Sequence, residues 1–298
     1  AGRAATPGVR CVDHLGCFMK EESPISEAEG AVLILSPTQG EGYGAEAVLE
    51  ELLRGWPKNG QALLVAAPFG SRLERVCAET GHPWIALESS RDAIVPNVRA
   101  LRRMEPRLPR ICRAHAWSAR AFELVSILGA RLGVPITGTL HDHPRAAFIG
   151  RVRQQIMRHS ANRFEALACV SQATRAACLG YGYKVDLRVL RNGLCDFDVP
   201  KADPSARVRL GFLGMRAPRK GFALLERWIP ELSTQNIELR LYGEVHPDFQ
   251  SRVTQLSNAY PGLIVPCGHR PRAEIFAEID LLLHLSTEFE PFATVLLE

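Results

Sequence analysis

The chain has 298 residues, 46% hydrophobic and 23% charged, with a formal net charge of +4. This is ordinary globular composition, long enough for two domains with cores of their own. Apolar runs such as "AVLIL" and "ALLVAA" are far too short to span a bilayer, the mild positive excess does not by itself imply nucleic acid, and the eight cysteines form no C-x-x-C pair and no zinc spacing with histidine, so they read as reduced, packed thiols of a cytosolic protein.

Residues 1–29 show no period and are rich in Gly, Pro and Glu, which predicts a poorly ordered leader. Order starts with "AVLIL", a short strand, followed by a glycine-rich loop and an amphipathic helix from about Ala45 with Val48, Leu49, Leu52 and Leu53 on one face. The unit recurs. "QALLVAAP" reads as a strand and "SRLERVCAETG" as a helix ending on Gly81. "PRICRAH" is a strand, "SARAFELVSILGARLG" a helix, "VPITGTL" a strand, "RVRQQIMRHSANR" a helix and "ALACVS" a strand. Ser171 is the expected cap of the helix in "SQATRAACLGYG", and "DLRVL" is a strand that leads to "RNG". From Arg91 to Arg163 stand fourteen arginines against four acidic residues, which leaves the rest of the chain at −6. That block reads either as solvated helical surface or as a face toward an anionic membrane or an acidic ligand.

Between Asn192 and Arg207 the pattern breaks into a linker rich in Pro, Asp and Gly. Alternation then restarts: "VRLGFLG", "IELRLYG", "LIVPCG" and "DLLLHLS" as strands, with "GFALLERWIPEL", "PDFQSRVTQLSNA" and "PRAEIFAEI" as helices. Apolar strands alternating with helices predict parallel sheets flanked by helices. The fold class is therefore α/β with two Rossmann-like domains, residues 30–195 and 196–298. The second is short for a doubly wound domain, about 100 residues, and the chain ends inside a predicted helix; truncation, with at least one further βα unit absent, is the expectation.

Ligands of open parallel sheets bind beyond the carboxyl ends of the strands, and glycines, bases, histidines and carboxylates concentrate in the segments that follow these strands. Two such edges facing each other would form an interdomain cleft. In "LGFLGMRAPRKGF", Arg216, Arg219 and Lys220 lie in a loop before a helix that starts near Gly221. Cations beside a helix N-terminus suit a diphosphate; a solvated basic loop is the other reading. In "EPFATVLLE", Glu290 precedes a helix expected from Pro291. Eight helical residues then place Glu290 and Glu298 on neighbouring faces, about 12 Å apart along the axis. Glu290 is expected at the mouth of the cleft beside a sugar, Glu298 deeper beside ribose hydroxyls, and the amides of Phe292, Ala293 and Thr294 facing phosphate.

Taken together, "GYGAE", "VPITGTLHDHP", "ACVSQATRAACLGYG", "VLRNGLCDFDV", "GFLGMRAPRKG" and "EPFATVLLE" resemble the GT-B glycosyltransferases of the retaining family 4 type, from about Ala31 to Glu298. The last segment resembles that family's E-x7-E motif. The resemblance implies cytoplasmic, metal-independent sugar transfer with retention, no cofactor, and a nucleoside diphosphate sugar as donor; the acceptor is expected to be a glycan, lipid or small molecule, the basic block allows peripheral contact with the inner face of an anionic membrane, and no nucleic acid partner is expected. It implies Lys220 on the diphosphate, Glu290 on the donor sugar, Glu298 on the ribose, Gly44 at a close backbone approach and His141 near the reacting carbon. The pattern departs at Met215, which pushes the expected arginine one place on to Arg216, and at Ala293, where the family carries glycine. A non-catalytic sugar- or nucleotide-binding protein and a sugar-nucleotide epimerase of the same fold are the rival readings. Metal ligation by His141 and His143 lacks a third ligand at a clear spacing. His115 reads as structural or cleft-lining, and His284 as packed in a sheet.

Overall fold

The computed structural model describes residues 30–39, 44–57, 60–88, 94–104, 108–145, 150–193, 199, 205–214 and 218–296. The leader expected over residues 1–29, and the positions of Met215, Arg216 and Glu298, lie outside them. Backbone contacts divide the chain into two units, Ala1–Cys195 with Pro291–Glu298, and Asp196–Glu290.

The strands of the first unit are β1 (Ala31–Leu35), β2 (Ala62–Pro68), β3 (Trp84–Leu87), β4 (Ile111–Ala116), β5 (Ile136–Leu140), β6 (Ala166–Cys169) and β7 (Asp186–Val189). They form one parallel sheet in the order β3-β2-β1-β4-β5-β6-β7. The helices are α1 (Gly44–Arg54), α2 (Arg72–Thr80), α3 (Ile94–Met104), α4 (Phe122–Leu132), α5 (Arg151–Ala161) and α6 (Gln172–Gly180).

Helices cover both faces of this sheet, so its strands are apolar on both sides. Leu33 and Leu35 share a core with Leu101 of α3, Phe122 of α4 and Met157 of α5. Ile34 points the other way, into a core with Val48 and Leu49 of α1 and Leu73 and Val76 of α2. The expected punctuation is present. Ser171 accepts from the Thr174 amide at 3.1 Å, and Gly81 ends α2 in the left-handed region at φ 80°. The strand β3 and the helix α3 are additions to the sequence reading. The first has only four residues. The second carries Pro96 in its first turn, where the missing N–H has no intrahelical partner to lose.

The second unit holds β8 (Val208–Leu213), β9 (Ile237–Tyr242), β10 (Ile264–Gly268) and β11 (Leu281–Leu283), with α7 (Phe222–Leu232), α8 (Pro247–Ala259) and α9 (Arg272–Glu278). Its sheet is parallel in the order β10-β9-β8-β11. One core joins Leu210, Phe212, Leu239 and Leu241 to Phe222, Leu225 and Ile229 of α7 and Val253 and Leu256 of α8. A smaller one joins Tyr242 to Ile275 of α9 and to Ile279. The guanidinium of Arg209, buried in β8, is paired bidentately with Asp280 at 2.8 and 3.1 Å, which pins β8 to the start of β11 and satisfies the buried charge.

Two expectations need correction here. The strand β11 ends at Leu283, so His284 is half-buried beyond the strand rather than packed within the sheet. The helix expected from Pro291 does not form over the described residues. Residues 291–296 hold one 3₁₀ turn, Thr294–Leu296, with the Leu296 N–H donating to the Ala293 carbonyl at 3.1 Å. The β-branched Thr294 and Val295 lose side-chain freedom in a helix. The amides of Phe292, Ala293 and Thr294 are therefore not the first turn of an α-helix.

Candidate active site

In each sheet the strand order reverses once, and ligands of open parallel sheets bind at that switch point beyond the carboxyl ends. In the second unit the reversal falls between β8 and β11. The segment after β8 begins with Gly214 at φ 104°. The stem of Lys220 lies over this glycine, 3.1 Å from where a Cβ would stand. A 3₁₀ turn, Pro218–Lys220, then leads to Gly221 at φ 90° and to α7. A Cβ on Gly221 would stand 2.0 Å from the Leu285 carbonyl oxygen. Only glycine lets this loop close on the segment that follows β11. Thr287 completes the closure, donating its N–H and its hydroxyl to the Arg219 carbonyl at 2.9 and 3.2 Å.

The closure brings Glu290 to the two cations. Its Oε2 accepts from Lys220 Nζ at 2.7 Å, from Ser286 Oγ at 2.9 Å and from the Arg219 guanidinium at 3.5 Å. Partial burial works to raise the carboxyl pKa, but the hydrogen bond and charge of Lys220, with Ser286 and Arg219, outweigh it and hold Glu290 below its usual value. The N-cap of α7 is Gly221, which offers no side-chain acceptor to the first amides of that helix.

In the first unit the reversal falls between β1 and β4. Here the polar groups are buried and uncharged. The ring nitrogens of His115 are bonded to the Thr137 and Thr139 hydroxyls at 2.9 and 3.0 Å, two residues that share a face of β5 by strand alternation. Trp117, directly after β4, donates its indole N–H to the Ala45 carbonyl at 2.7 Å. Its ring packs against that of His141 with centroids 5.1 Å apart. His141 stands just after β5, and neither of its ring nitrogens makes a hydrogen bond of good geometry among the described residues. Burial, with the neighbouring His115 as a smaller contribution, pushes the His141 pKa down to about 4 against the opposing pull of the Trp117 backbone. Burial and Arg113 do the same to His115. Both rings are neutral at pH 7.

Glu46, in the first turn of α1, is buried and accepts from Ser36 Oγ at 3.2 Å. Burial raises its pKa against the pull of its hydrogen bonds and of Arg120. Gly44 opens α1 at the surface, and among the described residues a Cβ placed there would meet the Thr294 hydroxyl at 3.9 Å.

The structure thus brings Arg219, Lys220 and Glu290 together, and sets Gly44 beside Thr294. His141 belongs to a separate constellation with His115 and Trp117. Sequence reasoning missed Trp117, Glu46, Ser286 and Thr287. The order "HAW" after a strand and the alternation in "TGT" carried a signal for the first; Ser286 and Thr287 gain meaning only once the two segments are closed on each other. The Nδ1 of His143 accepts from the Arg145 amide at 3.1 Å, and among the described residues no group of three or more His, Cys, Asp or Glu side chains is arranged to hold a metal ion. Nor is any helix among them long and apolar enough to cross a membrane.

The sequence model of Glycosyltransferase Family 4 matches residues 43–195, just over half of the chain. Among solved structures, HepE of Anabaena, determined with UDP and glucose, is 20% identical with a TM-score of 0.72, over 89% of this chain and 77% of that one. Sucrose-phosphate synthase of Thermosynechococcus elongatus is 12% identical with a TM-score of 0.68, over 89% and 77%. The lipopolysaccharide outer core galactosyltransferase WaaB, without ligand, is 14% identical with a TM-score of 0.60, over 90% and 77%. At these identities the likeness is one of fold, the GT-B arrangement of two parallel α/β sheets. No curated protein sequence matches the chain.

Proposed function

The chain belongs to Glycosyltransferase Family 4, and from that premise we propose that it transfers a sugar from a nucleoside diphosphate donor to a hydroxyl acceptor with retention at the anomeric carbon. The observation that carries this reading is the meeting of Lys220, Arg219 and Glu290 at the switch point of the second sheet. A phosphate oxygen requires the same donors that Glu290 now engages, and the uncapped start of α7 adds backbone amides.

In this scheme Lys220, Arg219 and those amides stabilise the leaving diphosphate, the place where negative charge grows in the transition state. The acceptor hydroxyl attacks from the face the nucleotide leaves, and the departing phosphate takes its proton. Glu290 stays an ionised ligand of the donor sugar and forms no covalent intermediate. His141, neutral and without a well-formed hydrogen bond to either ring nitrogen among the described residues, is proposed to hydrogen-bond the reacting sugar. The scheme uses no metal and no cofactor. Glu298 and Arg216 remain proposed donor contacts, on the ribose and the diphosphate. That HepE binds UDP and UDP-glucose supports the donor class.

The acceptor is proposed to be a glycan, lipid or small molecule, and the setting the cytoplasm, with peripheral contact to the inner face of an anionic membrane as the alternative to a free protein. Supporting that setting, α5 exposes Val152 and Ile156 alongside Arg151 and His159.

The test is a thermal-shift screen of UDP-, GDP- and ADP-glucose, then a transfer assay in which NMR reads the anomeric configuration of the product. Stabilisation by one donor class and a product that keeps the donor's configuration are expected. Stabilisation by none of them contradicts the donor reading, and an inverted product contradicts retention.

A further inference from the structure

The contact between Glu290 and Lys220 has a consequence for which nucleotide the site prefers. One carboxylate oxygen collects three donors, Lys220 Nζ, Ser286 Oγ and the Arg219 guanidinium. Glu290 and Lys220 are largely shielded, with 18% and 23% of their side chains exposed. The backbone beneath them is fixed: Gly221 admits no side chain against Leu285, and Thr287 holds the Arg219 carbonyl. A carboxylate and a phosphate oxygen seek the same ammonium, and two anions in so small and partly dry a space repel.

We infer that Glu290 is an internal competitor for the diphosphate site, and that it makes the protein discriminate a sugar-bearing nucleotide from the bare nucleoside diphosphate. The inference rests on the reading of Lys220 and Arg219 as the diphosphate cations. A bare nucleoside diphosphate must displace the carboxylate from Lys220 and leaves it with nothing in return. A nucleotide-sugar displaces it too, but presents sugar hydroxyls that donate to the freed oxygen, a charge-assisted bond that offsets the loss. When the sugar has been transferred, the carboxylate returns to Lys220 and helps expel the product nucleotide. The residue that holds the donor sugar thereby also limits product inhibition.

The experiment is calorimetry on the purified protein with UDP, GDP and ADP and their glucose conjugates. Wild type is compared with Glu290→Gln, Ser286→Ala and Lys220→Ala, using the base that binds tightest. Glu290→Gln is expected to tighten the bare nucleoside diphosphate about five- to tenfold, the scale of one partly exposed ion pair, and to shrink the preference for the glucose conjugate. Ser286→Ala leaves every charge in place and removes one donor to the carboxylate. It should shift affinity in the same direction by about twofold, and it keeps the test decisive should the glutamine variant not fold. Unchanged or weaker nucleoside diphosphate binding in these variants, with binding lost in Lys220→Ala, overturns the competition and leaves the diphosphate site standing. Undiminished binding in Lys220→Ala, or no binding of any of the three by wild type, overturns the diphosphate site and the competition with it.

Discussion

The two switch points solve opposite electrostatic problems with the same backbone plan. In the first unit, the histidines at the carboxyl edge are held neutral: His115 is closed between two hydroxyls, and His141 packs on Trp117 with no hydrogen bond of good geometry among the described residues. In the second, the groups remain charged and sit in a triad of Lys220, Arg219 and Glu290. The difference lies in the partners each fold supplies. At the first edge Thr137 and Thr139 hold His115 with neutral hydroxyls, whereas at the second the close approach at Gly221 brings a carboxylate to two cations. Neutral hydrogen-bonding groups cost less to desolvate than ions; a triad of ions keeps charges that an anionic ligand can recruit.

The sharpest way to break the comparison is at the backbone of the charged site. Gly221→Ala places a methyl 2.0 Å from the Leu285 carbonyl oxygen at φ 90°. Strain and overpacking together should cost about 3–5 kcal/mol of stability, read from a urea titration, with nucleotide binding lost as the two segments separate. A stable Gly221→Ala variant that still binds would show that close approach is not what assembles the triad.

At the neutral site the expected effects on stability and activity have opposite signs. His141 has ring nitrogens that are shielded and make no hydrogen bond of good geometry among the described residues, the kind of local defect that active sites retain at the expense of stability. His141→Phe should raise stability by about 1–3 kcal/mol by removing that defect. It should lower turnover by about 10²–10³-fold, the scale of one preorganised donor, with nucleotide affinity unchanged. A variant that is destabilised yet active would place His141 in the packing alone.

How far these features were legible in the sequence follows from their range. The β-α alternation, the Ser171 cap and the Gly81 stop are local and were readable from a few residues each. So was the loop of Arg219 and Lys220, because cations before a helix N-terminus form a short-range pattern. The pairing of Lys220 with Glu290 spans seventy positions and depends on Gly221 having no side chain, which sequence shows only as another glycine. The state of His141 was not legible either, since its neutrality arises from Trp117, His115 and the surrounding core. The Pro291 pattern points to a helix start, but the β-branched pair that follows works against it, and the described residues form a 3₁₀ turn instead.

Acid should sharpen the contrast at a smaller scale. The folded pKa of both His115 and His141 is about 4, against an ordinary 6.5. Between these values the unfolded chain binds more protons than the folded one, so stability falls as pH drops from 6.5 to 4 and is flat above. Each buried ring contributes about 3 kcal/mol to that loss at most. His141→Phe should therefore flatten the slope of melting temperature against pH over that window. An unchanged slope would mean that His141 is not held neutral by the fold.

The central claim, that the charged edge of the second unit holds the donor diphosphate, is tested most directly by one dissociation constant. Calorimetric binding of the preferred nucleotide-sugar should weaken about 10- to 100-fold in Lys220→Ala, the loss of one charge-assisted contact at a partly exposed site, while the melting temperature of the unliganded protein changes little. Unchanged affinity in Lys220→Ala would contradict the account and move the donor site elsewhere in the chain.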